Sequence, residues 1–193
     1  GVDNSTKMIE VANAQFRQKT FIVSDVHATG FPDKAFDASL AIGVFEYLED
    51  PRPLSLEMKR VTRSAGTMIC SFPNKNEKLK QKGSPLHRFL RAQKVRFTPR
   101  NKSKIVGVPD GYRKSSAIRH RTFDPAMILE LFDEVDASQV TFTYANFRVI
   151  YYWCGLDSIR TLDEKLSAYI SKHNLGRHFS PYASVIVAAI KNK

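Results

Sequence analysis

The sequence predicts an α/β fold built on a mostly parallel sheet, and three features carry that expectation. Strand-like and helix-like stretches alternate through the first 74 residues in the order strand, helix, strand, strand, helix, strand. The stretch Phe36 to Asp50, FDASLAIGVFEYLED, contains an unalternating run of small and apolar residues of strand length, which fits a strand buried on both faces. Acidic residues recur where strands end: Asp3, Asp25, and the group following Gly43. In open α/β sheets the carboxyl edge of the strands is where ligands bind. Two carboxylates there suit the hydroxyls and amine of a nucleoside, because a carboxylate offers only acceptors. Each acid taken singly is more often a helix or turn cap than a ligand contact, and it is their shared position that points to a site.

Gly1 to Asp3 reads as the last residues of a strand. Ser5 follows as a helix cap, with Met8, Val11, Ala12 and Phe16 at helical spacing. Thr20 to Val23 is a β-branched and aromatic strand closed by Ser24 and Asp25, and Gly30 to Lys34 turns the chain into Phe36. The central strand presents Gly43, Glu46 and Tyr47 at its carboxyl end. Pro51 to Ser64 is helical, with Leu54, Met58 and Val61 on one face, basic residues in the last turn and Gly66 as the stop. Thr67 to Phe72 is a further strand, broken at Pro73 and Asn74. Asp124 and Pro125 open a helix whose buried face is Met127, Ile128, Leu131 and Phe132. Gln139 to Tyr144 alternates like a strand, Val149 to Gly155 is apolar and aromatic, Leu162 to Ile170 is a short helix, and Ala183 to Ile190 is a buried final strand.

The 193 residues suit one domain, in three parts: 1–74, 75–121 and 122–193. The net charge of +11 is concentrated in the second part, where Lys75 to Arg121 holds 15 Lys and Arg against two acids, Glu77 and Asp110. That segment has little periodicity and reads as an insertion. Cys70 and Cys154 form no pairing framework, the five histidines have no metal-site spacing, and no run approaches the length of a membrane span. With no signal peptide visible, a reducing cytoplasm is the expected compartment, without metal or membrane.

Four stretches, GVDNSTKMIEVA, SDVHATGFPDKAFDASLAIGVFEYLED, MKRVTRSAGTMICSFPN and SPYASVIVAAIKNK, together resemble class I S-adenosylmethionine-dependent methyltransferases, specifically the type 11 methyltransferase domain. The resemblance implies a Rossmann-like, mostly parallel sheet with helices on both faces and an antiparallel last strand. It implies S-adenosylmethionine as cofactor, with Asp3 holding the ribose hydroxyls and Asn4 beside the adenine. Asp25 would take the adenine amine and the Val26 N–H a ring nitrogen, while Ile42 and Gly43 would border the methionine arm. The family's first strand and glycine-rich turn have no counterpart in the sequence, so the chain reads as an N-terminally truncated version of the domain, with long apolar edges exposed.

The resemblance implies methyl transfer to an unidentified acceptor, expected to be a small molecule. Tyr47, His87, Tyr112 and His120 are candidates for a base, and Tyr151, Tyr152 and Trp153 for an aromatic pocket or a packed lid. The alternative is a non-catalytic Rossmann-like module that holds RNA or another polyanion through the basic 75–121 segment, where Phe89, Phe97 and Tyr112 are interleaved.

Overall fold

A computed structural model of the chain describes residues 1–77, 89, 121–147 and 160–192. The basic segment falls almost wholly outside the described residues, as do Cys154 and the aromatic run at 151–153. The elements are β1 (Val2–Asp3), α1 (Thr6–Gln15), β2 (Ile22–Val23), β3 (Phe36–Ala41), α2 (Arg52–Val61), β4 (Thr62–Pro73), α3 (Pro125–Leu131), β5 (Val140–Phe147), α4 (Arg160–Lys172), α5 (Gly176–Phe179) and β6 (Ala183–Lys191). Strands β1 and β2 pair in parallel, and the remaining four form one sheet in the order β3-β4-β6-β5. Strand β3 runs parallel to β4. Strand β6 ends beside the start of β4, where Asn192 N–H donates to Gly66 O, and begins beside its end, where Asn74 N–H donates to Ser184 O. The last strand is therefore antiparallel, and the sheet is mixed.

The chain forms two compact units, one comprising Gly1–Ser71, Pro125–Thr141 and the chain from Ala188 on. In this unit α2 follows the sequence closely. Asp50 accepts the Arg52 N–H, Pro53 sits in the first turn, and Leu54, Met58 and Val61 are buried. Ile128 and Phe132 of the α3 region are buried as expected, with Phe132 6.3 Å from Phe45. Gly66 does not stop α2. The helix passes directly into β4 at Thr62, and Gly66 lies inside the strand. A Cβ at Gly66 would fall 2.8 Å from both Asp37 O and Arg63 O, so glycine is required there by close backbone approach. Between Phe36 and Ala38 the partner register jumps from Thr62 to Thr67, and Ala65 takes a left-handed φ of 63° inside this bulge.

Two apolar patterns of the sequence are largely exposed in the same unit, and for β3 this overturns the expected burial. Helix α1, capped by Ser5 as predicted, buries Ile9 and leaves Met8, Val11 and Phe16 exposed. Strand β3 is not buried on both faces: Phe36, Leu40 and the following Ile42 are exposed, Leu40 to 66%. Its hydrogen-bonding neighbour is β4 on one edge, and its other edge borders a cavity shared with β1 and β2.

The second unit is built from the described parts of Phe72–Asp124 and Phe142–Val187. Phe147, Ile170 and Ala183 form its buried cluster, with Tyr144, Leu166, Leu175 and Phe179 packed around them. Asn74, expected to break a strand, is buried here. Its amide donates to Ser180 O and Ala183 O at 3.0 and 2.8 Å.

Asn192 does similar work in the first unit. Its Nδ2 donates to the carbonyls of Lys59 and Thr62 at 3.1 and 2.6 Å, satisfying groups that the end of α2 leaves open. Asn192→Ala leaves those carbonyls without their donor in a site only 5% exposed. The expected loss is about 2 kcal/mol, readable as a lower urea midpoint with an unchanged denaturant slope.

Candidate functional site

The carboxyl ends of β1 and β2 lie side by side because the strands pair in register, Asp3 with Val23, and Ser24 N–H donates to Asp3 O at 3.1 Å. The half-buried Asp3 carboxylate uses Oδ1 to accept the Ser5 N–H at 2.8 Å. Its Oδ2 makes no hydrogen bond to the described residues. Asp3 is thus both a turn-capping residue and an acceptor with one oxygen that has no partner among the described residues. Asn4 beside it is exposed.

Asp25 is exposed and accepts the His27 backbone N–H at 2.9 Å through Oδ1, with His27 Nδ1 also 2.9 Å from that oxygen, again leaving Oδ2 without a partner among the described residues. Val26 is half-buried and faces the cavity. At the end of β3, Ile42 is exposed and Gly43 has a φ of +67°, a conformation that glycine adopts without strain. Ser71 Oγ on β4 accepts the Gly43 N–H at 2.9 Å and fixes this turn. The next residues coil into a short 3-10 turn, Phe45–Tyr47, with Phe45 wholly buried, Tyr47 exposed, and Glu46 folded back toward Gly43. A Cβ placed on Gly43 would meet Glu46 Oε1 at 3.7 Å.

The cavity between these two groups of residues has a volume of about 620 Å3. Its wall runs from Gly1, Thr20 and Phe36 at the strand starts to Val26 and Val44 beyond the strand ends. The β1–β2 pair and β3 are therefore not hydrogen-bonded to one another but share one apolar hollow. Of the six predicted contact residues, Asp3 and Asp25 are brought to one strand end, Ile42 and Gly43 to another, and Val26 alone lines the hollow. Among the candidate bases only Tyr47 is described. His87, Tyr112 and His120 lie outside the described residues, as do Tyr151, Tyr152 and Trp153.

The loop that carries Asp25 and Val26 is held from beneath by a carboxylate that sequence reasoning passed over. Glu57, only 7% exposed, accepts the Thr29 N–H and Thr29 hydroxyl through Oε1 at 2.8 and 2.5 Å. Arg60 donates to both Glu57 oxygens at 2.8 Å, and also to Phe31 O and to Asp33 at 2.7 and 2.6 Å. The Arg60 guanidinium, followed by the Thr29 donors, holds the Glu57 carboxyl down at about 2 against the opposing effect of its burial. Its spacing with Arg60 was the signal available in the sequence, a helical i, i+3 pair. Burial pushes the Cys70 thiol well above its ordinary range, so that thiol is not a nucleophile.

Residues 1–70 match the Methyltransferase domain family. Over 69 residues the chain is 35% identical to the demethylmenaquinone methyltransferase of Thermotoga maritima, an alignment covering 36% of this chain and 30% of the relative. The chain thus spans less than a third of that relative's length. Across the whole chain the fold resembles a SAM-dependent methyltransferase from Archaeoglobus fulgidus, with a TM-score of 0.58, 14% identity and 75% of that chain covered. It also resembles a SAM-dependent methyltransferase of Thermotoga maritima, a possible histamine N-methyltransferase, with a TM-score of 0.55, 12% identity and 72% covered. The chain has the Rossmann-like α/β fold of these structures, and its first 70 residues match the methyltransferase domain model.

A carboxyl whose folded pKa lies below its ordinary value of 4.5 stabilises the fold fully above that value and loses its contribution as pH falls toward about 2. Glu57→Gln is therefore expected to cost on the order of 3 kcal/mol at pH 7. The gap between wild type and variant should close between about pH 5 and pH 2. Urea unfolding followed across that range checks it.

Proposed function

We propose that this chain, whose first 70 residues match the methyltransferase domain, takes part in methyl transfer from S-adenosylmethionine to a small-molecule acceptor in a reducing cytoplasm. The observation that carries the reading is the pair of acids at adjacent strand ends, each with one carboxylate oxygen already spent on its own turn and one left over. The residues present fit the nucleoside half of the cofactor. Asp3 Oδ2 suits a ribose diol, Asp25 Oδ2 suits the adenine amine, and the Val26 N–H suits a ring nitrogen. Asn4 lies beside the adenine in this reading. Ile42 and Gly43 border the methionine arm, where the left-handed Gly43 has no side chain to obstruct an approach.

When bound, the cofactor supplies an electrophilic methyl group on a sulfonium. The contribution of the chain is alignment. Ser71 fixes the Gly43 turn, Glu57 fixes the loop of Asp25 and Val26, and together they set the line along which an acceptor must approach. Among the described residues Tyr47 is the one predicted base that remains near this edge. The family match favours this reading over a polyanion-binding module, whose basic segment lies almost wholly outside the described residues. No described helix is long and apolar enough to cross a membrane.

Asp3→Ala should weaken binding of S-adenosylhomocysteine by roughly ten- to a hundredfold, the effect of removing a charge-assisted hydrogen bond of about 1.5–3 kcal/mol. Asp3→Asn, which keeps an acceptor for the Ser5 N–H, separates loss of the turn from loss of the ligand contact. Titration calorimetry on both variants gives the answer, and unchanged affinity in both removes Asp3 from the site.

A further inference from the structure

Helix α4 turns Leu166 and Ile170 toward the buried cluster of the second unit, so its opposite face meets solvent. Lys165, Tyr169, Lys172 and His173 fall on that face, at the spacings of three and four residues that stack side chains along one side of a helix. All four are exposed, Tyr169 to 55%. His173, one residue past α4, continues the helical turn through its N–H to Tyr169 O at 3.0 Å. The two rings lie against each other, their centroids 4.3 Å apart and their planes tilted by 41°. Asn174, with a left-handed φ of 54°, and the Leu175 N–H donated to Ile170 O then close the helix, and Arg177 follows, exposed, in α5.

The charge of this face is unbalanced. From Lys165 to Lys193 the sequence holds no Asp or Glu. Lys165, Lys172 and Arg177 have no ion-pair partner among the described residues, whereas each cation of α2 is engaged: Arg52 with Asp133, Lys59 with Glu134, and Arg60 with Glu57 and Asp33. The helix dipole accounts for a cation in the last turn, and so for Lys172, but not for Lys165. We infer that this face binds single-stranded nucleic acid, the cations holding phosphates and the Tyr169 ring stacking a base. Phosphates call for unpaired Lys and Arg, and an exposed aromatic ring among them is a platform that any base can use. The ring decides among polyanions, because an acidic peptide or an anionic lipid surface would be held by the charge alone and would leave Tyr169 without a role. The surface belongs to the second unit, apart in sequence from the basic 75–121 segment and from Asp3, Asp25 and Gly43, and the inference does not rest on the cofactor reading.

The test is fluorescence anisotropy of a labelled oligouridylate titrated, over a series of salt concentrations, with the wild-type chain, Tyr169→Ala, Tyr169→Phe, and the combined Lys165→Gln, Lys172→Gln, Arg177→Gln variant. The basic 75–121 segment supplies its own attraction to a polyanion, so the readout is the difference between variants. Loss of three phosphate contacts should flatten the slope of log affinity against log salt by about 2. Tyr169→Ala should weaken binding roughly tenfold by the same factor at every salt concentration, and Tyr169→Phe, which keeps the stacking face, should bind as wild type does. All the substituted side chains are exposed, so the thermal unfolding midpoints should match wild type. Unchanged affinity and slope in both Tyr169→Ala and the combined variant overturn the inference and leave any binding to the 75–121 segment. An effect of the combined variant without one of Tyr169→Ala shows a surface for anions in general and overturns the nucleic-acid assignment. A wild type that does not bind the oligouridylate overturns it as well.

Discussion

The geometry of the candidate site depends first on one buried carboxylate. Glu57 stands on α2, in the wall of the cavity, and receives donors from the Thr29 backbone, the Thr29 hydroxyl and both arms of Arg60. Removing a carboxylate from water is costly, and the arrangement is tolerable because nearly every acceptor site it has is filled. The same contacts bind the 24–34 loop to a helix whose position is set independently by Leu54, Met58 and Val61. Asp25 and Val26 therefore inherit their placement from α2. Without Glu57 the far end of the loop would keep Arg60 on Phe31 O and Asp33, while Thr29 would lose the acceptor that ties the Asp25–Thr29 stretch to α2.

The features legible in the sequence were those that local chemistry decides. Ser5 as a cap, the buried face of α2, the start of α3 at Pro125 and the final strand each follow from spacing within a dozen residues. Strand β3 was misread for the opposite reason. An apolar run reports that a strand prefers burial, whereas its actual exposure depends on which neighbours the tertiary structure supplies, and here one edge meets β4 and the other a cavity. Gly66 was misread in kind. Glycine after a helix suggests a left-handed stop, yet the structure uses it where two backbone carbonyls come within 2.8 Å of the missing Cβ.

The supporting polar residues were invisible for a further reason, distance along the chain. Glu57 meets Thr29 across 28 positions, Asn74 meets Ala183 across 109, and Asn192 meets Thr62 across 130. No periodicity records such pairs. The strand-end acids were more legible than the residues beneath them because acids at strand ends are a local pattern. At the end of β3, Glu46 was noted for its position alone, since the shielding of its Oε2 without a partner among the described residues exists only in the folded chain.

The distribution of charge bears on how such a site would treat a cationic methyl donor. The strand ends of the candidate site carry the acids Asp3 and Asp25, while the basic surplus of the chain lies in 75–121. A carboxylate placed against the sulfonium would favour the charged reactant over a transition state in which that charge is dispersing, and would slow the step it is meant to serve. A carboxylate placed against the ammonium meets a charge that does not change during methyl transfer. It holds reactant and transition state equally, contributing affinity without raising the barrier. The same reasoning fits Asp3 and Asp25, whose proposed partners are a neutral diol and a neutral amine. An acidic edge is then compatible with catalysis provided each carboxylate is spent on a group remote from the bond being broken.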